Sequence, residues 1–167
     1  MKYQRTIGEK YWSDYTLWNW KSQKDIRPMV LLTGCMDMMH RGHIALIEYA
    51  SREWPLHFLM VAVNTDSSVA QLKPGRPIIG LADRQASLAS LQLVDGVTHF
   101  GECNVAQLLL AMAPEVWVKG GDYTLKTLNK LEVRAARKAG TKIHIAPRFE
   151  YPSTTDIINK IKKLKTP

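Results

Sequence analysis

Two histidines three residues apart, His40 and His43, close the stretch Leu31-Leu32-Thr33-Gly34-Cys35-Met36-Asp37-Met38-Met39-His40-Arg41-Gly42-His43. The apolar run from Met29 to Leu32 reads as a buried strand that stops at Thr33-Gly34, and an amphipathic run from Ile44 to Tyr49 follows the histidines. The imidazoles therefore lie where a strand hands over to a helix. An open parallel α/β sheet binds ligands there, outside the carboxyl ends of its strands. Free amides at a helix start attract anions. Imidazoles donate to phosphate oxygens, and do so as cations where phosphate raises their pKa. Gly34 and Gly42 let the backbone come close to a ligand. Phosphate chemistry is the reading these features favour. Two others stand beside it: both histidines are structural, or Cys35, His40 and His43 hold zinc, for which no fourth ligand is evident.

The stretch Thr33-Gly34-Cys35-Met36-Asp37-Met38-Met39-His40-Arg41-Gly42-His43 resembles the T-G-x-F-D-x-x-H-x-G-H motif of the cytidylyltransferase-like nucleotidyltransferases. That family includes glycerol-3-phosphate cytidylyltransferase and the nucleotidyltransferase half of ADP-heptose synthase. The motif is far longer and more specific than a bare H-x-G-H. Met36 stands where the family usually has Phe, an apolar exchange that alters packing more than chemistry.

The elements that position these residues follow from the rest of the chain. Its 167 residues suit one domain with its own core. An apolar content of 46% is ordinary for a soluble globular chain, and no apolar run reaches the length of a membrane span. No apolar signal core follows Met1-Lys2-Tyr3-Gln4-Arg5, so a cytoplasmic location is the expectation. Cys35 and Cys103 have no framework spacing and read as reduced thiols. The net charge is +8, and Lys126 to Lys165 holds eleven basic residues against three acidic ones. Such a surplus attracts nucleotides or nucleic acid; on charge alone, a solvated helical face is the better reading.

Residues 1–28 fall outside the family core and are rich in aromatics: Tyr3, Tyr11, Trp12, Tyr15, Trp18 and Trp20. Tyr11, Tyr15 and Trp18 share helical spacing, which suggests a short helix over Ser13 to Trp20. It packs on its own domain or at a subunit interface, with a stacking platform for nucleic acid a third option. Residues 29–167 form the main domain. A helix is expected over Gly42 to Glu53 and a strand over Leu56 to Val63, ending at Asn64-Thr65-Asp66. A short helix, Ser67 to Leu72, precedes the breaker-rich loop Lys73-Pro74-Gly75-Arg76-Pro77. Then come a helix over Ala82 to Gln92, a strand over Val94 to Phe100, and a helix over Asn104 to Met112 with Asn104 as cap. A strand, Val116 to Val118, runs into Lys119-Gly120-Gly121-Asp122-Tyr123, whose paired glycines suggest close approach to a ligand, or else a plain turn. A basic helix over Leu128 to Ala139 stops at Gly140, and Lys142 to Ala146 is the last strand. Ser153 with Asp156 three residues on makes a capping-box-like start for a final helix. Strands alternating with helices define an α/β fold: a Rossmann-like open parallel sheet with helices on both faces.

The resemblance extends over most of the chain. Val61 to Val69 resembles the V-A-V-N-S-D-x-S-V stretch of ADP-heptose synthase, and Val116 to Tyr123 is very similar to its L-V-K-G-G-D-Y. Glycerol-3-phosphate cytidylyltransferase has a Gly-Asp-Asp-like loop there instead. Arg76-Pro77 and Arg84 match the family's R-P-x-x-x-x-x-x-R pattern, and Ser153-Thr154-Thr155-Asp156-Ile157-Ile158 matches its S-T-T-x-I-I. A family basic pair falls on Ala70 and Gln71, and Tyr151-Pro152 replaces a Gly-Ile.

The resemblance implies nucleotidyl transfer, with His40, His43 and Lys73 in catalysis. It implies nucleotide binding by Thr33, Gly34, Cys35, Met36, Asp37, Gly42, Lys119, Gly120, Gly121, Asp122, Arg148, Ser153 and Thr154. Asp37, Asn64, Asp66, Arg76 and Arg84 are expected at the second substrate. Mg²⁺ is expected to arrive with the NTP, and no resident metal is expected. The expected partners are an NTP, a small phosphorylated substrate and a second copy of the chain, with neither membrane nor nucleic acid. ATP with a sugar phosphate is favoured over CTP with glycerol 3-phosphate or another polyol phosphate. A non-catalytic nucleotide- or nucleic-acid-binding relative is the alternative of another class.

Overall fold

A computed structural model describes residues 6, 8–12 and 27–164. The expected helix over Ser13 to Trp20, and Tyr3, Tyr15, Trp18 and Trp20 with it, lie outside the described residues.

Five strands form the sheet: β1 (Met29–Gly34), β2 (Phe58–Asn64), β3 (Gly96–Phe100), β4 (Val116–Lys119) and β5 (Lys142–Ile145). Helices join them: α1 (Arg41–Glu53), α2 (Asp66–Leu72), α3 (Leu81–Ala89), α4 (Ala106–Met112), α5 (Lys130–Lys138) and α6 (Thr154–Leu164). All pairings are parallel, and the order is β3-β2-β1-β4-β5. The chain winds outward from β1 in one direction, then returns to lay β4 on the other side of β1. The switch point between β1 and β4 is where such a sheet binds its ligand.

The central strands are buried on both sides, as a doubly covered parallel sheet requires. Alternate residues feed two separate cores. Leu31, Met60 and Trp117 face α4 and α5 through Leu109, Met112 and Ala136. Leu32, Val61 and Val118 face α1 and α3 through Ile47, Ala50 and Leu88. The outer edge of β3 is met by the chain before β1. Tyr11 bridges Val97, and the Thr98 hydroxyl donates to Trp12 O at 2.8 Å. Trp12 is buried edge-on against Phe58, with ring centroids 5.5 Å apart.

Element bounds differ from the sequence expectation mainly at breakers. β2 starts at Phe58 rather than Leu56, which is 77% exposed. A turn closed by His57 N–H to Trp54 O comes first. α4 starts two residues after Asn104, whose carbonyl oxygen still accepts the Ala106 N–H at 3.1 Å.

Candidate active site

The corner between β1 and α1 is built around the two imidazoles. His40 is the N-cap of α1, and its Nδ1 accepts the Gly42 N–H at 3.1 Å. Its ring stacks on that of His43, with centroids 3.8 Å apart and planes 27° from parallel. A Cβ on residue 42 would lie 3.0 Å from His40 Cε1 and 3.1 Å from its Nδ1. A side chain at 42 would press on the folded-back imidazole, which would have to give by a few tenths of an ångström. His43 lines the cleft, and its Nδ1 is buried without a hydrogen bond among the described residues. Burial first, then His40 and Lys73, pull the His43 pKa down to about 4, against the opposing charge of Asp37. His40 is lowered too, by burial and then Arg76, with Asp156 opposing.

The intervening loop is held rather than free. Met36 and Met38 take left-handed backbone angles, φ 50° and 51°, uncommon for residues with a side chain. Asp37 pins that loop. Its buried carboxylate accepts the Ile78 and Ile79 N–H groups at 3.0 and 2.9 Å and pairs with Arg76 at 2.7 Å. Its carbonyl accepts the Thr154 hydroxyl at 2.8 Å, tying the start of α6 to the same loop. Asp37 thus fastens three segments together.

Arg84 was expected at the substrate and is found elsewhere in role. Its side chain is fully buried, and its guanidinium donates to Ile79 O, Cys35 O, Asn64 O and Asp66 Oδ1 at 2.6–3.0 Å. It splices the ends of β1 and β2 to the loop before α3, leaving Asp66 occupied by Arg84 and by the Leu81 N–H at 3.2 Å. Asn64 lines the cleft, with its amide donating to Ser68 Oγ at 3.0 Å. Lys73, the C-cap of α2, and Arg76 both line the cleft.

At the end of β4, the Lys119 ammonium stands over the Tyr123 ring, 4.2 Å from its centroid, and over Trp117 at 5.5 Å. Burial lowers the Lys119 pKa, with Glu132 and Asp122 opposing and Lys73 adding. Gly120 and Asp122 border the cleft. Gly121 faces the chain instead: a Cβ there would sit 2.4 Å from Arg148 N. That glycine admits the Pro147–Arg148 backbone, and Gly121 is not among the residues lining the cleft. Arg148 is exposed and does not line the cleft. Ser153 and Asp156 form the expected capping box, with Ser153 N–H and Oγ each 2.7 Å from Asp156 Oδ2.

These pieces surround one cavity of about 500 Å³. Thr33 and Gly34 line it from β1 and Cys35, Met36 and Asp37 from the loop that follows, and His43, Lys73, Arg76, Lys119 and Thr154 line it as well. Among the described residues, no group of three or more His, Cys, Asp or Glu is placed to hold a metal, so Cys35, His40 and His43 do not make a zinc site. Sequence reasoning missed part of the wall: Phe100, Cys103, Thr127, Asn129, Tyr123 and Glu132. Asn129 had a local signal as the N-cap of α5, but nothing in the sequence says that α5 opens onto this cavity.

A five-stranded parallel sheet carrying a cation-rimmed cleft at its switch point defines a nucleotide-handling Rossmann-like domain. The cytidylyltransferase-like family profile matches residues 31–160. The chain belongs to this family of nucleotidyltransferase enzymes. It is 41% identical over 135 residues to the bifunctional protein HldE of Halorhodospira halophila, and 40% identical over the same length to that of Pseudomonas fluorescens. Each match covers 80% of this chain and 28% of the relative, so the chain spans little more than a quarter of those proteins. A solved lipopolysaccharide core biosynthesis protein from Thermoplasma volcanium shares the fold, with a TM-score of 0.63 at 24% identity, over 74% of this chain and 99% of that one.

Proposed function

We propose that the chain transfers a nucleotidyl group from ATP to a phosphorylated sugar, giving an ADP-sugar and pyrophosphate. The observation that carries this reading is the convergence of His43, Lys73, Arg76 and Lys119 on one cleft at the β1/β4 switch point. Similarity to HldE proteins supports the sugar phosphate as acceptor. The acceptor's phosphate oxygen attacks the α-phosphorus, the bond to the bridging oxygen breaks, and pyrophosphate leaves. The enzyme's work is positioning and charge stabilisation. His43, neutral in the free protein, donates from its ring N–H to a phosphate oxygen, and the bound anion raises its pKa. Lys73 and Arg76 offset charge on the α-phosphate and the acceptor. Thr154 and the α6 start serve the β,γ-phosphates, and Lys119, Gly120 and Asp122 border the nucleoside.

Mg²⁺ fits this site as an ion carried by the triphosphate. Asp37, the acidic residue of the β1–α1 loop, has its carboxylate on Arg76 and backbone amides, and Mg²⁺ needs few protein ligands. It would screen the phosphates that the cations do not reach. In this reading, 29–167 is the nucleotidyltransferase domain and 1–28 an N-terminal extension, whose Tyr11 and Trp12 meet β3 and Phe58. A cytoplasmic homodimer completes the proposal. Among the described residues no helix is long and apolar enough to cross a membrane.

The test is pyrophosphate release with ATP, CTP, GTP and UTP, each against sugar 1-phosphates and polyol phosphates. Release with ATP and a sugar 1-phosphate is expected. Release with CTP and a polyol phosphate moves the chain to the cytidylyltransferase side of its family. Absence of NTP binding overturns the reading.

A further inference from the structure

The residues just before α6 are where the chain leaves the family pattern, with Tyr151-Pro152 in place of Gly-Ile. They lie along α1 and are fastened to it in succession. Phe149 packs edge-on against Tyr49 in the middle of the helix, with ring centroids 6.1 Å apart. Thr154 holds the loop before the helix through Asp37 O. Between them, Tyr151 stands at the first turn of α1. The chain bends there through the Tyr151 N–H, which donates to Phe149 O at 3.0 Å. Tyr151 Cβ is 3.9 Å from the place a side chain at 42 would take. The Arg41 guanidinium lies over the Tyr151 ring, 4.7 Å from its centroid.

Only the ring of Tyr151 is used in this contact. Its hydroxyl makes no hydrogen bond among the described residues, and Arg41 has no carboxylate or carbonyl partner there. Arg41-Gly42 is the dipeptide that separates the two imidazoles, and His40 stacks on His43 across it. A ring that grips Arg41 from outside therefore backs the turn on which both imidazoles stand. Tyr151 itself does not line the cleft, so it acts through them. We propose that Tyr151 is a positioning residue: its ring, held under Arg41, fixes the first turn of α1 and so keeps the His40–His43 stack in place. Rate follows the placement of such groups closely. The effect on rate rests on the nucleotidyl-transfer reading of the cleft; the effect on the imidazoles rests on the geometry alone.

Two measurements on the full chain test it, in Tyr151→Ala, Tyr151→Phe, Arg41→Ala and the Arg41→Ala/Tyr151→Ala double variant. The first is the steady-state rate of pyrophosphate release with ATP and a sugar 1-phosphate. Each alanine variant is expected to lose about two- to fivefold in kcat, the worth of an exposed cation–π contact, with KM for ATP unchanged. The double variant should fall no further than the worse single, since both substitutions remove one contact. Tyr151→Phe, which keeps the ring, should match the wild type. The second measurement needs no turnover. A nuclear Overhauser cross-peak between the His40 and His43 rings is expected from their 3.8 Å stacking. It should weaken in both alanine variants and survive in Tyr151→Phe. A Tyr151→Phe variant as slow as Tyr151→Ala overturns the proposal, because the hydroxyl is then the working group. So does a raised KM at constant kcat, which puts Tyr151 at the nucleotide, and so does a cross-peak unchanged in both alanine variants. If Tyr151→Ala fails to fold, Arg41→Ala, at an exposed helix position, carries the same test. If the cross-peak behaves as expected while every NTP and acceptor pair fails to release pyrophosphate, the positioning role stands and the transfer reading falls.

Discussion

Two helices begin at the rim of the cleft, and they begin differently. α1 starts with an imidazole cap and no acidic residue in its first turn. His40 engages one amide, that of Gly42. α6 starts with Ser153, and Asp156 in its first turn reaches back to both the N–H and the hydroxyl of Ser153. Those bonds from Ser153 hold the Asp156 carboxyl below its usual range. Both ends attract negative charge. One is left open with His43 beside it; the other is filled by the chain's own carboxylate. On the proposed reading, an incoming triphosphate would meet an open helix start at α1, and at α6 it would have to displace Asp156 before Ser153 could hold it.

The largest expected effect removes the open end. His43→Ala should lower kcat by roughly 10²–10³, the range for one donor to a developing charge. The circular dichroism spectrum should be unchanged, and turnover that survives would place the chemistry elsewhere.

The acid response of His43 comes next. Its pKa is about 4 in the folded chain against 6.5 when unfolded. Between those values the unfolded chain holds more protons, so stability rises with pH. The contribution is full above pH 6.5 and is lost as pH falls to 4, by at most roughly 3 kcal/mol. Denaturant titrations across that window should show the slope in the wild type and a flatter line in His43→Asn. Parallel lines would mean the imidazole is not desolvated.

Gly42→Ala sharpens the comparison at smaller cost. Its Cβ at 3.0 Å presses on the His40 ring, which must shift by a few tenths of an ångström, so kcat should fall by up to about tenfold. Helix stability should hold or improve slightly, because alanine is about 1 kcal/mol better than glycine in a helix. A large fall in melting temperature would show that the glycine serves the backbone instead.

The smallest effect is at the filled end. Asp156→Asn weakens the internal competitor for Ser153, and KM for the NTP should drop about two- to fivefold. The weakened cap should cost about 0.5–1 kcal/mol of stability. A raised KM would mean that Asp156 organises the helix start for the nucleotide.

The two helix starts also differ in how far the sequence revealed them. The Ser153–Asp156 box is a contact between residues three apart, and local spacing is enough to read it. The strand-to-helix placement of His40 and His43 was legible for the same reason. The stacking of the two rings, and the demand it makes on Gly42, needed coordinates. Arg84 and Gly121 needed them too. A guanidinium that matches a family pattern carries no sign of being buried on carbonyls from three segments, and a paired glycine does not say whether a ligand or residue 148 fills its space.

What the sequence determined by itself was the alternation of strands and helices, the two covered faces of the sheet and the motif that names the chemistry. Those depend on period and on neighbours a few residues apart. The tertiary structure alone decided the β3-β2-β1-β4-β5 order, the silent splicing role of Arg84, and the meeting of Val105 with Glu132 at the cavity wall. Such contacts join residues far apart in the chain, where burial and cross-chain packing, rather than local preference, choose each side chain's partner.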